Sequence, residues 1–283
     1  MTPSAITSST PHLSSNDSAV LQALFDAESS PSNASAGIHL DSSLPQQLPG
    51  ISPAELSRLQ AQELAAIALL QGDAVQNAET IRTAVSKLTA IIDGNQQYAS
   101  AYVNRAQALR MLVECYMSTN SAEEGEKMRS EEQQEEELAN MIFADLSTAI
   151  TLLTPSLSMS SSLARTISIS PLHSRILANA HTHRAYILYR AARSMPTSTS
   201  ASTSPLPRAL SLPHHLRSKS PQQLEEMASM DFQLGGRYGN DIARQMAVQT
   251  NPYAKMCGAI VKEAMRKEMT GGMADGKTGG FVV

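Results

Sequence analysis

From residue 52 onward the chain is a succession of stretches with apolar residues every three or four positions, and no segment carries sustained strand alternation. That periodicity admits packed helices and excludes a sheet protein. The first stretch opens at Ser52-Pro53. Ser52 is a helix cap, Pro53 suits the first helical position, and Glu55 falls at the third. Ala54 to Leu70 contains no Gly or Pro and is rich in residues that lose little side-chain entropy in a helix. Leu56, Leu59, Glu63, Ala66 and Leu70 mark one row of it, and Gly72 ends it. A second helix is predicted over Val75–Ile92, with Ile81, Val85, Leu88 and Ile91 on one face, before the turn Asp93-Gly94-Asn95. A third covers Tyr98–Met117, striped by Tyr102, Ala106, Leu109 and Val113.

A fourth helix is expected around Glu136–Leu153 and a fifth over Ser174–Ala192. A sixth starts after Pro221 and runs through Leu234, where Gly235-Gly236 weakens it without having to end it. A short helix over Asn240–Met246 follows, and Asn251-Pro252 caps a last one through about Met269. The fold class is therefore all-α, with at least six helices in antiparallel pairs.

The pieces between helices have a different composition. Residues 1–18, 28–50, 154–173 and 194–220 are rich in Ser, Thr and Pro, which cannot bury enough apolar surface to order a chain. Between the first two of these regions, Asp17–Ala27 carries Val20, Leu21, Leu24 and Phe25 at helical spacing. Residues 270–283 form a glycine-rich tail. Glu123 to Glu137 holds eight Glu against one Lys and one Arg, and reads either as a charged helix extension or as a solvated loop. These boundaries divide the chain into an N-terminal segment (1–50), a helical domain (51–269) and the tail.

Charge and cysteine content narrow the function classes. A net charge of -4 lacks the dense basic surface of a nucleic-acid groove. No window holds 18 consecutive apolar residues, so no membrane partner is expected. Residues 1–16 lack the basic and apolar regions of a secretory signal. Cys115 and Cys257 are too few for a disulfide framework and point to a reducing compartment, cytoplasmic and also nuclear.

The helix pairs can be set in a 34-residue tetratricopeptide frame, which needs small residues where paired helices approach and apolar bulk elsewhere. In the first pair, about 53–93, Ala65 takes the small place and Gly72 the turn. In the second, about 98–154, Tyr102 and Ala106 serve one helix and Leu146 and Ala149 the other, across an acidic insertion at 118–135. In the third, about 174–238, Ala185 pairs with Phe232 and Gly235 across the insertion at 194–220. The frame predicts a superhelix of three antiparallel pairs, closed by a capping helix at 251–269 that opens with Asn251, Pro252 and Tyr253 and carries Cys257.

Four islands carry a narrower likeness: residues 16–25, residues 99–108, Asp145 to Ile150, and Asp231-Phe232 through Arg244, continuing into Asn251-Pro-Tyr-Ala-Lys-Met-Cys257. On these the chain resembles the tetratricopeptide repeat protein 36 family, in a divergent, fungal form. The resemblance implies a non-catalytic interaction adapter that binds a protein or peptide client through a concave face. It implies links to chaperones of the heat-shock 70 class and to tyrosine catabolism. A structural subunit held by one obligate partner is the alternative. A carboxylate clamp for an acidic peptide terminus needs Lys, Asn and Arg donors. The matching places hold Gln62 and Ala66, then Asn104, then Asn179 and His183, so only Asn104 is retained. Gln62, Asn104, Asn179 and His183 remain as neutral donors for an extended peptide, while Arg105 and Arg184 turn toward a neighbouring helix.

Other chemistry finds little support. His181 and His183, two apart on a helix, lie on opposed faces and make a poor metal pair. Cys115 and Cys257 read as small buried hydrophobes. Gly235-Gly236-Arg237-Tyr238-Gly239 lacks the strand, loop and Lys-Ser/Thr of a phosphate loop. The expectation is a protein that is not an enzyme, with no metal, no cofactor and no small-molecule substrate.

Overall fold

A computed structural model describes residues 38–71, 77–119, 128–154, 167–195 and 212–271. The helix expected over Asp17–Ala27, Gly72 and the tail at 272–283 lie outside the described residues. Among the described residues the fold is all-α apart from one pair of three-residue strands. In order, the elements are β1 (Ile38–Leu40), α1 (Pro53–Ile67), α2 (Ala78–Gly94), α3 (Ala99–Thr119), α4 (Met128–Leu153), β2 (Ile167–Ile169), α5 (Pro171–Ser194), the single turn α6 (His214–Arg217), α7 (Pro221–Arg237), α8 (Asp241–Thr250) and α9 (Pro252–Gly271). A 3-10 turn over Ala68–Leu70 finishes α1.

Local chemistry starts the helices. Three open on Ser-Pro: Ser52, Ser170 and Ser220 each accept a hydrogen bond from the backbone N–H three residues on, with Pro at the first helical position. At α7 the box is complete, because the Gln223 side chain accepts in return from the Ser220 N–H at 3.0 Å. Asn77 and Asn240 cap α2 and α8 without a proline, their side chains accepting from the Glu79 and Ala243 N–H. The α5 cap lies at Ser170, four residues before the expected start at Ser174, and it uses the Ser-Pro signal that the other two helices display.

The buried apolar side chains form one core. Leu88 of α2, Leu109 and Val113 of α3, and Ile142 and Leu146 of α4 are fully enclosed. Leu177 and Leu188 of α5 meet Leu224 and Phe232 of α7, also enclosed. Each such side chain contributes about 1.5–3 kcal/mol on burial. Small residues set the closest approaches. Gly235 lies where α7 meets α5 and α8: a Cβ there would stand 2.7 Å from Thr182 Oγ1 and 3.0 Å from Ala243 Cβ. The two glycines of α7 thus serve packing while the helix continues through them to Arg237.

The strands were not expected. Residues 38–40 and 167–169 pair in parallel, Ile38 against Ile167 and Leu40 against Ile169, and Asp41 N–H extends the ladder to the Ile169 carbonyl at 3.0 Å. Three residues are too few to express an alternation. The acidic block resolves as helix from Met128 onward, so the expected insertion at 118–135 is partly the first turns of α4. The turn α6 sits inside the stretch 194–220, at the end of the Ser/Pro-rich run.

The all-α class stands, but no repeating helix-pair solenoid is evident. Helices α1 to α5 have 15, 17, 21, 26 and 24 residues, and α7 and α8 have 17 and 10, so no unit of fixed length recurs. The first pair also misses the frame. Ala65, given the small buried place, is exposed, while Ala66 is fully buried. The helical period was legible, but a slip of one residue turns a side chain by 100° and moves it to another face.

Candidate functional site

Three polar links cross the core, and each joins helices distant in sequence. In the first, Glu63 of α1 is buried; its Oε2 accepts from Tyr98 OH at 2.6 Å and its Oε1 from Asn104 Nδ2 at 2.7 Å. Burial, reinforced by the Glu63 charge, holds the Tyr98 hydroxyl well above the ordinary phenol range. In the second, Arg105 of α3 donates twice to Asp145 of α4, Nε to Oδ2 at 2.8 Å and Nη2 to Oδ1 at 2.7 Å. Its third nitrogen, Nη1, donates to Thr89 Oγ1 of α2 at 3.2 Å. The guanidinium also lies 5.7 Å from the Tyr102 ring centroid.

The third link is the largest. Arg184 of α5 donates to Asp231 of α7 through Nε at 2.7 Å and Nη2 at 2.7 Å, and His181 Nδ1 lies 2.8 Å from Asp231 Oδ1. The His181 ring stacks on Tyr238, centroids 5.8 Å apart. Ser174 Oγ donates to the Tyr238 carbonyl at 2.6 Å, which ties the end of α7 back to the start of α5. Burial pushes the Asp231 carboxyl upward, but the bonds from His181 and Arg184 outweigh it and hold it below the usual carboxylate value.

On another side of α5, Tyr186 lies between two cations, Arg110 at 5.6 Å and Arg190 at 5.8 Å from its ring centroid. Glu114 bonds both arginines. His183 Nε2 is buried there without a hydrogen-bond partner, and burial, aided by the Arg110 charge, drives the imidazole down to about 3. His181 and His183 therefore face different neighbours and share no site. Among the described residues no three His, Cys, Asp or Glu side chains gather as metal ligands.

A groove of about 620 Å³ opens between α4, α5, α6 and α7. Phe143, Leu188, Leu216, Met227, Met230 and Leu234 supply apolar wall, and the Arg184–Asp231 link lines it as well.

The residues singled out from the sequence are dispersed over this framework. Of the peptide-binding set, Gln62 and Asn179 are exposed, Asn104 is committed to Glu63, and His183 is half-buried with its Nε2 enclosed. Of the repeat positions, Ala106, Leu146, Ala149, Ala185, Phe232 and Gly235 are buried and Tyr102 is half-buried, its hydroxyl donating to the Gln96 carbonyl at 3.3 Å. Asn251 is half-buried before α9, which Pro252 and Tyr253 begin. Cys257 is exposed rather than buried, and Cys115 is half-buried. Arg105 and Arg184 do turn to the next long helix. Their acceptors, Asp145 and Asp231, were given no role, and Glu63, which accepts from Tyr98 and Asn104, was placed only on a helical row. A signal for them existed: each arginine precedes a buried alanine (Arg105-Ala106, Arg184-Ala185), and each aspartate precedes a buried bulky residue (Asp145-Leu146, Asp231-Phe232).

No protein-family model matches the chain. No solved structure matches it either. A curated relative does: the L-tyrosine degradation gene cluster protein hmgX of Aspergillus fumigatus is 48% identical over 263 residues, covering 93% of this chain and 96% of the relative. That match overturns the assignment to the tetratricopeptide repeat protein 36 family and the repeat-mediated adapter function drawn from it. Identity at this level, end to end in both chains, leaves one placement: the chain belongs to the family of the L-tyrosine degradation gene cluster protein hmgX.

Proposed function

We propose that the chain acts in L-tyrosine degradation as an accessory protein that catalyses no step itself. The observation that carries this is the near full-length relative whose name places it in an L-tyrosine degradation gene cluster. The non-catalytic part is supported by how the buried charges are used. Asp145 and Asp231 each lock an arginine between helices, and Glu63 holds Tyr98 and Asn104, so these groups are engaged in the scaffold.

A protein client is the partner that fits this role. Ile242 and Val248 of α8 and Ile260, Val261 and Met265 of α9 are all more than half exposed, an apolar supply beyond what the fold uses. No helix among the described residues is long and apolar enough to cross a membrane. Neither cysteine forms a disulfide, which supports a cytoplasmic or nuclear setting.

The test is deletion of the gene in its own host, with growth followed on L-tyrosine as sole carbon source and on glucose. Loss of growth on tyrosine alone is expected. Equal growth of both strains on tyrosine contradicts the reading.

A further inference from the structure

The groove between α4, α5, α6 and α7 carries a chemistry more specific than an apolar slot. Its walls are largely carbon, and its volume of about 620 Å³ lies within the range of small-molecule sites. The polar link that lines it is incompletely used. Arg184 bonds Asp231 through Nε and Nη2, which leaves Nη1 outside both bonds, and a quarter of its side chain is exposed. Asp231 Oδ1 takes bonds from both His181 and Arg184, whereas Oδ2 takes one, and a carboxylate oxygen accepts two.

The pair therefore retains three guanidinium N–H donors, two of them on Nη1, and one acceptor position on Oδ2, and it carries no net charge. A ligand carboxylate would meet the Asp231 charge, and a ligand ammonium would meet Arg184. A neutral group that both accepts and donates satisfies both residues, and a hydroxyl is the smallest such group. The thioethers of Met227 and Met230 favour an aromatic body beside it, since sulfur packs well against ring edges.

We propose that this groove binds a small 4-hydroxyphenyl compound, its ring against Met227 and Met230 and its hydroxyl accepting from Arg184 and donating to Asp231. The identity of the ring rests on the proposed role in L-tyrosine degradation, because tyrosine carries that group. The groove then serves as a ligand site for a compound of that breakdown.

The experiment titrates the full chain with 4-hydroxyphenylacetate and with phenylacetate, followed by calorimetry and ligand-observed NMR. The two probes differ only in the hydroxyl. The hydroxylated probe is expected to bind about tenfold more tightly, the effect of one hydrogen bond to a charged group. Ala144 is exposed and lines the groove, so Ala144→Trp fills it and is expected to abolish binding with an unchanged helical circular dichroism spectrum. Should that variant unfold, Ser147→Phe, at another exposed lining position, takes its place. Absence of binding at millimolar probe, equal affinity for both probes, or undiminished binding by the filled variant overturns the proposal. The pathway role is read separately, by whether this chain restores tyrosine breakdown to an Aspergillus fumigatus strain lacking the relative. Restoration without probe binding sinks the groove assignment and leaves the pathway role standing. Probe binding with the hydroxyl preference, but without restoration, upholds the site and counts against the role.

Discussion

Asp231 receives three short hydrogen bonds from two residues of one neighbouring helix, so its carboxylate fastens α7 to α5. Removing one partner of such a buried pair leaves the other charged and uncompensated, a loss of about 3–5 kcal/mol. Asp231→Ala is expected to lower the urea midpoint by that equivalent, while Arg184→Met with Asp231→Leu recovers a large part of it. A loss under about 1 kcal/mol for the single variant contradicts the role assigned to the link. The signs of the pH effects follow from the directions of the shifts. Asp231 is held below its unfolded value, so its contribution is present above pH 3.8 and lost as pH falls through the folded value. His183 is held neutral at about 3 against 6.5 when unfolded, so the unfolded chain binds the extra proton between those values. Stability therefore falls as pH drops from about 6.5, with a slope approaching about 1.4 kcal/mol per pH unit. His183→Gln is expected to flatten that slope in denaturant titrations at pH 5 and 7. An unchanged slope contradicts the enclosure of His183.

At the scale of elements, start signals and close approaches are the sensitive points. Ser220→Ala removes one half of the α7 capping box and is expected to cost about 1 kcal/mol. Gly235→Ala places a methyl against Thr182 Oγ1 and Ala243 and is expected to cost about 1–3 kcal/mol, eased by Thr182→Ala. A thermal melt of the four proteins checks both, and a neutral Gly235→Ala contradicts the close contact of α5, α7 and α8. The helices themselves were legible in sequence because period, caps and breakers agree at Ser52-Pro53, at Asn95 and at Pro221. Other features were not. The β1–β2 pair is a long-range event with three residues on each side, and nothing local announces it. The first helix turn of α5 was lost inside a Ser-rich run that ends in a true cap, Ser170. The register of α1 was misplaced because Ala65 and Ala66 are interchangeable by composition, and only the partner helix distinguishes them. Of the candidate site, the direction of Arg105 and Arg184 was readable, but their acceptors lie 40 and 47 residues away and depended on tertiary placement.

For the whole molecule, identical residues at nearly half of the aligned positions, spread over 93% of the chain, bind this protein to its relative as one unit rather than through one shared segment. A helical frame alone fits many functions, and reading a repeat into it led to the wrong family. What decides the function is a property of the whole chain, and the most direct test works at that level. The coding sequence of hmgX in Aspergillus fumigatus is replaced by that of this chain, and L-tyrosine consumption is measured against the parent and the deletion strain. The account predicts consumption restored toward the parental rate. Consumption no higher than in the deletion strain, with the protein present and folded, contradicts it.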